Sequence, residues 1–354
     1  MSSKWTSDAL TAGLFPSADP APFGRRVKQA RGARIPIVLV TGFLGAGKSS
    51  LVRRILDSPE GAGSAVIVNE FGDIGIDHDL LRASSDKIVL LGNGCLCCST
   101  RSDLEETLAE LLAQATTGRI PSFRRVIVET SGMADPGPVL QTFATDRGIG
   151  REFHLETVIA VADAPSIAAN LAETAEAEQQ IVMADRIVLS KCDLVTGEDA
   201  ARLAAMLAGI NPAAEIIAQA PAEADAGALL EPPDAPRRHV NRHPHHTSDI
   251  GCFTLAPQGV MPWKAFANFM NVLTDMRGPD LLRMKGLLAV RECRGPLAVH
   301  AVRHIMHPPT ELLDWPGGDR TSRLVFIVRN IGRDDVEKLM RAILDLDPDR
   351  LTGD

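Results

Sequence analysis

Short β-branched, apolar runs begin at position 35 and alternate with stretches of helical periodicity. The runs at 35–41, 65–70, 87–91, 126–129, 157–162 and 185–189 predict strands, and 49–56, 100–115 and 165–183 predict helices between them. A helix over 198–207 and a strand over 215–218 close this part. Strands that are apolar along their whole length, rather than alternating, are buried on both faces, and crossover helices supply that cover. The expectation is an α/β domain over 35–220 with a mostly parallel sheet covered by helices. Residues 221–249 interrupt the pattern with five prolines and a run of histidines, and are expected to be a linker. From 250 a smaller α+β domain is expected, with extended segments at 252–255, 287–290, 299–304 and 324–329 and helices at 263–276 and 334–346. Residues 1–34 lack apolar periodicity and turn basic towards Arg34, which reads as a flexible extension.

Composition narrows the class. The 354 residues carry 45 acidic against 37 basic side chains, a net charge of −8, which argues against a nucleic-acid binder. No apolar run reaches the ~18 residues needed to span a bilayer, and the N-terminus shows no signal-type apolar core. A cytoplasmic protein without a membrane partner is therefore expected. Of the six cysteines, Cys95, Cys97 and Cys98 crowd together and Cys192, Cys252 and Cys293 are scattered, unlike the framework of a small secreted domain.

The chemistry starts at 42–49, which fits G-x-x-x-x-G-K-[ST] directly after an apolar strand and at the opening of a helix. Gly42, Gly45 and Gly47 let the backbone turn its N–H groups onto phosphate oxygens, and the helix N-terminus adds positive charge. Lys48 is placed to neutralise the β- and γ-phosphates, and the Ser49 hydroxyl to ligate Mg(II). With Ala46 and Ser50 these residues make up the expected nucleotide cradle. The strand 126–129 ends in Glu129, an acid able to reach Mg(II) through water, and Gly132 behind it lets backbone approach the γ-phosphate. Ser190-Lys191-Cys192-Asp193 resembles the [NT]-K-x-D guanine motif. There Asp193 would accept from the guanine N–H groups while the Lys191 stem packs on the base, with Ser190 standing in place of the usual asparagine.

Cys95, Cys97 and Cys98 on one short loop can meet a soft or borderline ion such as Zn(II) or Co(II). They fit equally well as buried structural thiols, a redox pair, or a vicinal disulfide between Cys97 and Cys98. The sequence also holds His239, His243, His245 and His246 close together, a set that binds metal weakly if it binds at all, interspersed with arginines. His300, His304 and His307 have helix-like spacing, but the apolar residues around them favour a packed strand end.

These motifs follow one another in an order that resembles the CobW-like family of P-loop GTPases: the phosphate loop, Asn69-Glu70-Phe71-Gly72, Gly94-Cys95-Leu96-Cys97-Cys98, Glu129-Thr130-Ser131-Gly132 and Ser190-Lys191-Cys192-Asp193. The resemblance covers about 35–345, including a CobW-type C-terminal domain. It implies a GTP-hydrolysing metallochaperone that carries Zn(II) or Co(II) to a client metalloprotein, and it leaves a homodimer open. Carried over by position, Cys95, Cys97 and Cys98 would hold the metal. Glu70 and Asp73 would lie in the switch, orienting water or binding metal, and Lys48, Glu70 and Glu129 would serve hydrolysis. Two other classes remain: a zinc- and nucleotide-responsive regulatory protein, and a P-loop kinase-like enzyme with structural cysteines.

Overall fold

The computed structural model describes residues 34–68, 89–91, 101–145, 149–218, 224–231, 241–242, 250–307, 309–312, 314–315 and 320–345. The N-terminal extension, the histidines of the linker, and the segments carrying Glu70, Asp73, Cys95, Cys97 and Cys98 lie outside the described residues. The chain divides into two compact units, one of them Arg34–Pro233 and the other containing Asp234–Asp354.

The first unit is built on strands β1 (Ile35–Gly42), β2 (Ser64–Val68), β3 (Val89–Leu91), β4 (Arg125–Glu129), β5 (Phe153–Asp163), β6 (Arg186–Ser190) and β7 (Glu215–Ala218). All pair in parallel, in the order β3-β2-β4-β1-β5-β6-β7. Alternate residues of the central strands feed opposite cores. Val38, Val40, Ile127, Ile159 and Val188 pack with Leu51, Val52 and Ile55 of the helix Lys48–Leu56. On the other face Ala160, Ala162, Ile187 and Leu189 pack with Ile167, Ile181 and Leu207. Both faces are dry, which is why these strands read as unbroken apolar runs.

Two expectations change. The helix expected over 165–183 is two helices, Ile167–Glu173 and Ala175–Val182, broken at Thr174, whose backbone is extended (φ −133°, ψ 130°). A β-branched residue of low helix propensity sits at the break. The linker stretch contains a short helix, Ala226–Leu230, whose Asp225 side chain accepts from the Gly227 and Ala228 N–H groups and whose Leu229 and Leu230 enter the first core. The helix Pro136–Thr145 was not foreseen from the sequence.

The second unit is an antiparallel sheet covered on one face by helices. Strands β8 (Asn241–Arg242), β9 (Ile250–Leu255), β10 (Leu281–Leu288), β11 (Leu297–Val302), β12 (Ile305–Met306) and β14 (Arg323–Arg329) are ordered β12-β11-β10-β14-β9-β8, and β13 (Thr310–Glu311) pairs with β11. Helices Trp263–Arg277 and Arg333–Asp345 cover it, with Trp263, Phe266, Phe269 and Phe326 among the buried aromatic residues. His300 lies on β11 and His307 just after β12, so the helical spacing of the histidines is coincidental and the strand-end reading holds. No helix among the described residues is long and apolar enough to cross a membrane.

Candidate functional site: a phosphate loop between two strand tips

Parallel sheets bind ligands beyond the carboxyl ends of their strands, where the chain order switches direction. Here that point is β1, with β4 on one side and β5 on the other, and the loop 42–47 leaves its end. Gly42 has φ +141°, and a Cβ there would lie 2.2 Å from the Val161 carbonyl oxygen of β5, so the strand can turn into the loop only without a side chain. Gly45 and Gly47 also have positive φ, and Gly47 opens the helix Lys48–Leu56. The Lys48 ammonium donates to the Phe43 carbonyl at 3.0 Å, which keeps it folded over the loop.

At the tip of β4, Glu129 is 4% exposed and accepts from the Ser49 hydroxyl through Oε1 at 2.8 Å. Behind it the Thr130 N–H donates to the Val40 carbonyl (2.9 Å) and the Thr130 hydroxyl to that of Thr41 (3.0 Å), which ties this loop to β1. Gly132 lies directly on the phosphate loop: a Cβ would sit 2.7 Å from the backbone nitrogen of Leu44 and 2.8 Å from its Cα. The Gln180 amide, from the helix Ala175–Val182, donates to the Gly132 and Ala134 carbonyls, both at 3.1 Å.

The third part arrives on β6. Ser190 is fully buried and its hydroxyl donates to the Ala46 carbonyl of the phosphate loop at 2.7 Å. Lys191 follows in a left-handed conformation (φ 54°), with its ammonium 3.3 Å from Asp163 Oδ2 at the tip of β5. Asp193 is exposed in the turn Cys192–Leu194, where a carboxylate can accept from a base.

The structure thus brings together Gly42, Gly45, Ala46, Gly47, Lys48, Ser49, Ser50, Glu129, Gly132, Lys191 and Asp193, at the carboxyl ends of β1, β4 and β6. Sequence reasoning missed Asp163, Gln180 and the bond from Ser190 to the loop. The prior signal for Gln180 was a pair of glutamines directly before the apolar Ile181 and Val182. Among the described residues no group of three or more His, Cys, Asp and Glu is arranged to hold a metal ion. The described thiols are not poised as thiolates either: burial pushes Cys252 up to about 12, burial beside Glu311 and Glu292 raises Cys293, and burial beside Asp193 raises Cys192.

Comparisons with known proteins agree with this geometry. The family model described as CobW/HypB/UreG, nucleotide-binding domain matches residues 36–218, and the Cobalamin synthesis protein cobW C-terminal domain matches 250–344. The chain is 33% identical over 312 residues to the zinc chaperone CobW of Pseudomonas aeruginosa, covering 76% of this chain and 82% of that one. It is 41% identical over 196 residues to the zinc chaperone YjiA of Escherichia coli, an alignment that spans 55% of this chain and 61% of the relative's length. The crystal structure of Zn(II)-bound YjiA GTPase from Escherichia coli superposes with a TM-score of 0.65 at 27% identity, over 88% of this chain and 99% of that one. Matched in both units, with the phosphate loop, the strand-tip acid Glu129 and the Ser190–Asp193 turn assembled on the first, the chain belongs to the CobW-like family of P-loop GTPase metallochaperones.

Proposed function

We propose that this chain is a GTP-dependent zinc chaperone, which binds Zn(II) at Cys95, Cys97 and Cys98 as cargo and gives it up to a client metalloprotein when GTP is hydrolysed. The observation that carries the nucleotide half is the bond between Ser49 and Glu129, at the mouth of a complete phosphate loop. The relatives named as zinc chaperones, together with three thiols within four residues of sequence, support the metal half. Co(II) suits the same thiolates and is the second cargo to try.

In this reading the backbone N–H groups of 42–48 and the Lys48 ammonium hold the phosphates and stabilise the charge that develops as the terminal bond breaks. Ser49 and Glu129 offer a hydroxyl and a carboxylate 2.8 Å apart, hard oxygen donors that fit Mg(II). Bound there, Mg(II) would supply Lewis-acid neutralisation of the phosphate oxygens. Asp193 accepts from the guanine edge and Lys191, steadied by Asp163, packs on the base. The serine in place of asparagine keeps the link to the phosphate loop through its hydroxyl. Glu70 orients the attacking water, and Asp73 joins the metal set in the triphosphate-bound state. A cytoplasmic location and a client-docking role for the second unit complete the proposal.

The test is a zinc titration against a competing chelator with the protein loaded with either GTPγS·Mg(II) or GDP·Mg(II). Zinc should bind more tightly in the GTPγS state. The variant with Cys95, Cys97 and Cys98 replaced by serine should lose that binding. Equal affinity in the two states would end the coupling, and a phosphorylated acceptor in place of free phosphate would favour a kinase.

A further inference from the structure

Gln179 and Gln180 are both buried in a helix that otherwise packs through small and apolar side chains, and neither has a part in the nucleotide contacts described above. Gln180 is 2% exposed. A primary amide brings two N–H donors into the interior, and burial without acceptors is costly, so a buried amide is retained where its acceptors are fixed. Both donor bonds of Gln180 go to one short segment, at the Gly132 and Ala134 carbonyls.

That segment leaves β4 just behind Glu129. Its near end is fastened to β1 by the backbone and side chain of Thr130. Its own turn is closed by the Ala134 N–H donating to the Ser131 carbonyl at 3.1 Å. Its middle presses on the backbone of Leu44 so closely that no side chain fits at Gly132. Between the fastening at Thr130 and the one at Gln180, the backbone that faces the phosphate loop has little freedom to move alone.

We propose that Gln180 is a positioning residue that holds the 132–134 segment against the phosphate loop and so sets how strongly a nucleoside triphosphate is distinguished from the diphosphate. This rests on the GTP reading above. The third phosphate is the part of the nucleotide that such a segment meets, and a diphosphate ends short of it. A segment already held in place gives up little freedom when the third phosphate arrives. Without the amide it spends time elsewhere, and triphosphate affinity falls in proportion to the fraction still in place, while the diphosphate is indifferent. If that fraction drops to about one tenth, triphosphate affinity drops about tenfold.

The experiment compares GTPγS and GDP affinities, with Mg(II), for the full-length protein and for two variants. Gln180→Met removes both donors at similar volume. Gln180→Glu keeps the shape but sets acceptors against two carbonyls. Both should weaken GTPγS about tenfold and leave GDP within about twofold, with KM for GTP raised accordingly. A parallel loss of both nucleotides would mean a merely structural role, and an unchanged ratio would mean no role; either overturns the proposal. Should both variants fail to fold, the wild type decides. Its Gln180 side-chain amide resonances should shift on adding GTPγS and stay in place with GDP, and an identical response to the two nucleotides overturns the proposal. A wild-type protein that binds neither nucleotide brings down the GTP reading and this proposal together. Normal wild-type binding with unaltered variant ratios brings down this proposal alone.

Discussion

Replacing Gly132 with alanine tests the contact between the loop behind Glu129 and the phosphate loop. The added Cβ would stand 2.7 Å from the Leu44 nitrogen, 2.7 Å from its Cδ2 and 2.8 Å from its Cα. The Leu44 side chain is 56% exposed and can swing aside, but the two backbone atoms belong to a loop fixed at both ends. Carbon atoms rest about 3.5–4.0 Å apart, so the two loops must separate by roughly 0.8 Å. Overpacking of this kind costs about 1–3 kcal/mol of stability. The larger effect is on turnover, since a misplacement of about 1 Å can cost about 100-fold in rate. Gly132→Ala should therefore lower kcat/KM for GTP about 100-fold and weaken GTPγS, with GDP affinity nearly unchanged. Phosphate release and nucleotide titration measure both. A folded variant that hydrolyses GTP within about threefold of the wild type would show that the two loops are not mechanically joined, and would refute the reasoning.

Glu129→Gln should reduce hydrolysis by about 100-fold and raise the Mg(II) concentration needed for half-maximal rate, read from phosphate release across a magnesium series; chelating the metal should stop the wild type altogether. Ser190→Ala removes the 2.7 Å bond to the Ala46 carbonyl and should cost about 1 kcal/mol, seen as roughly fivefold faster release of a fluorescent GDP analogue. The rings of His300 and His307 stack with centroids 4.5 Å apart. Burial, with Arg283 nearby, holds His307 at about 4 against an ordinary 6.5, and burial beside His307 holds His300 well below it. Between those values the unfolded chain binds more protons than the folded one, so stability is unaffected above pH 6.5 and falls as the pH drops towards 4. Thermal unfolding should reveal a loss of about 3 kcal/mol from His307 across that window and a further loss from His300, the first of which disappears in His307→Phe, which keeps the stack without the titrating nitrogen.

What the sequence determined alone was whatever depends on neighbours along the chain. The phosphate loop is legible because strand, glycines, Lys48 and Ser49 fall within one short segment, and the chemistry of backbone N–H groups on a phosphate is local to it. The strand at 215–218 was bounded as observed, and the apolar strands and crossover helices gave the α/β class for the same reason. The helical periodicity at 165–183 hid the break at Thr174, because a single extended residue leaves the apolar spacing on either side nearly intact. The strand β10 was found only at its end, 287–288, because Arg283 and Lys285 interrupt its apolar run.

Tertiary structure decided what joins distant segments. Ser49 and Glu129 are 80 positions apart, Gly132 and Gln180 are 48 apart, and Ala46 and Ser190 are 144 apart. No periodicity specifies such pairs, because they exist only once parallel pairing has set β4, β1, β5 and β6 side by side in register. A buried hydroxyl or amide is then kept or lost according to the carbonyl it meets, and which carbonyl it meets is a property of the sheet order rather than of the residues on either side of it.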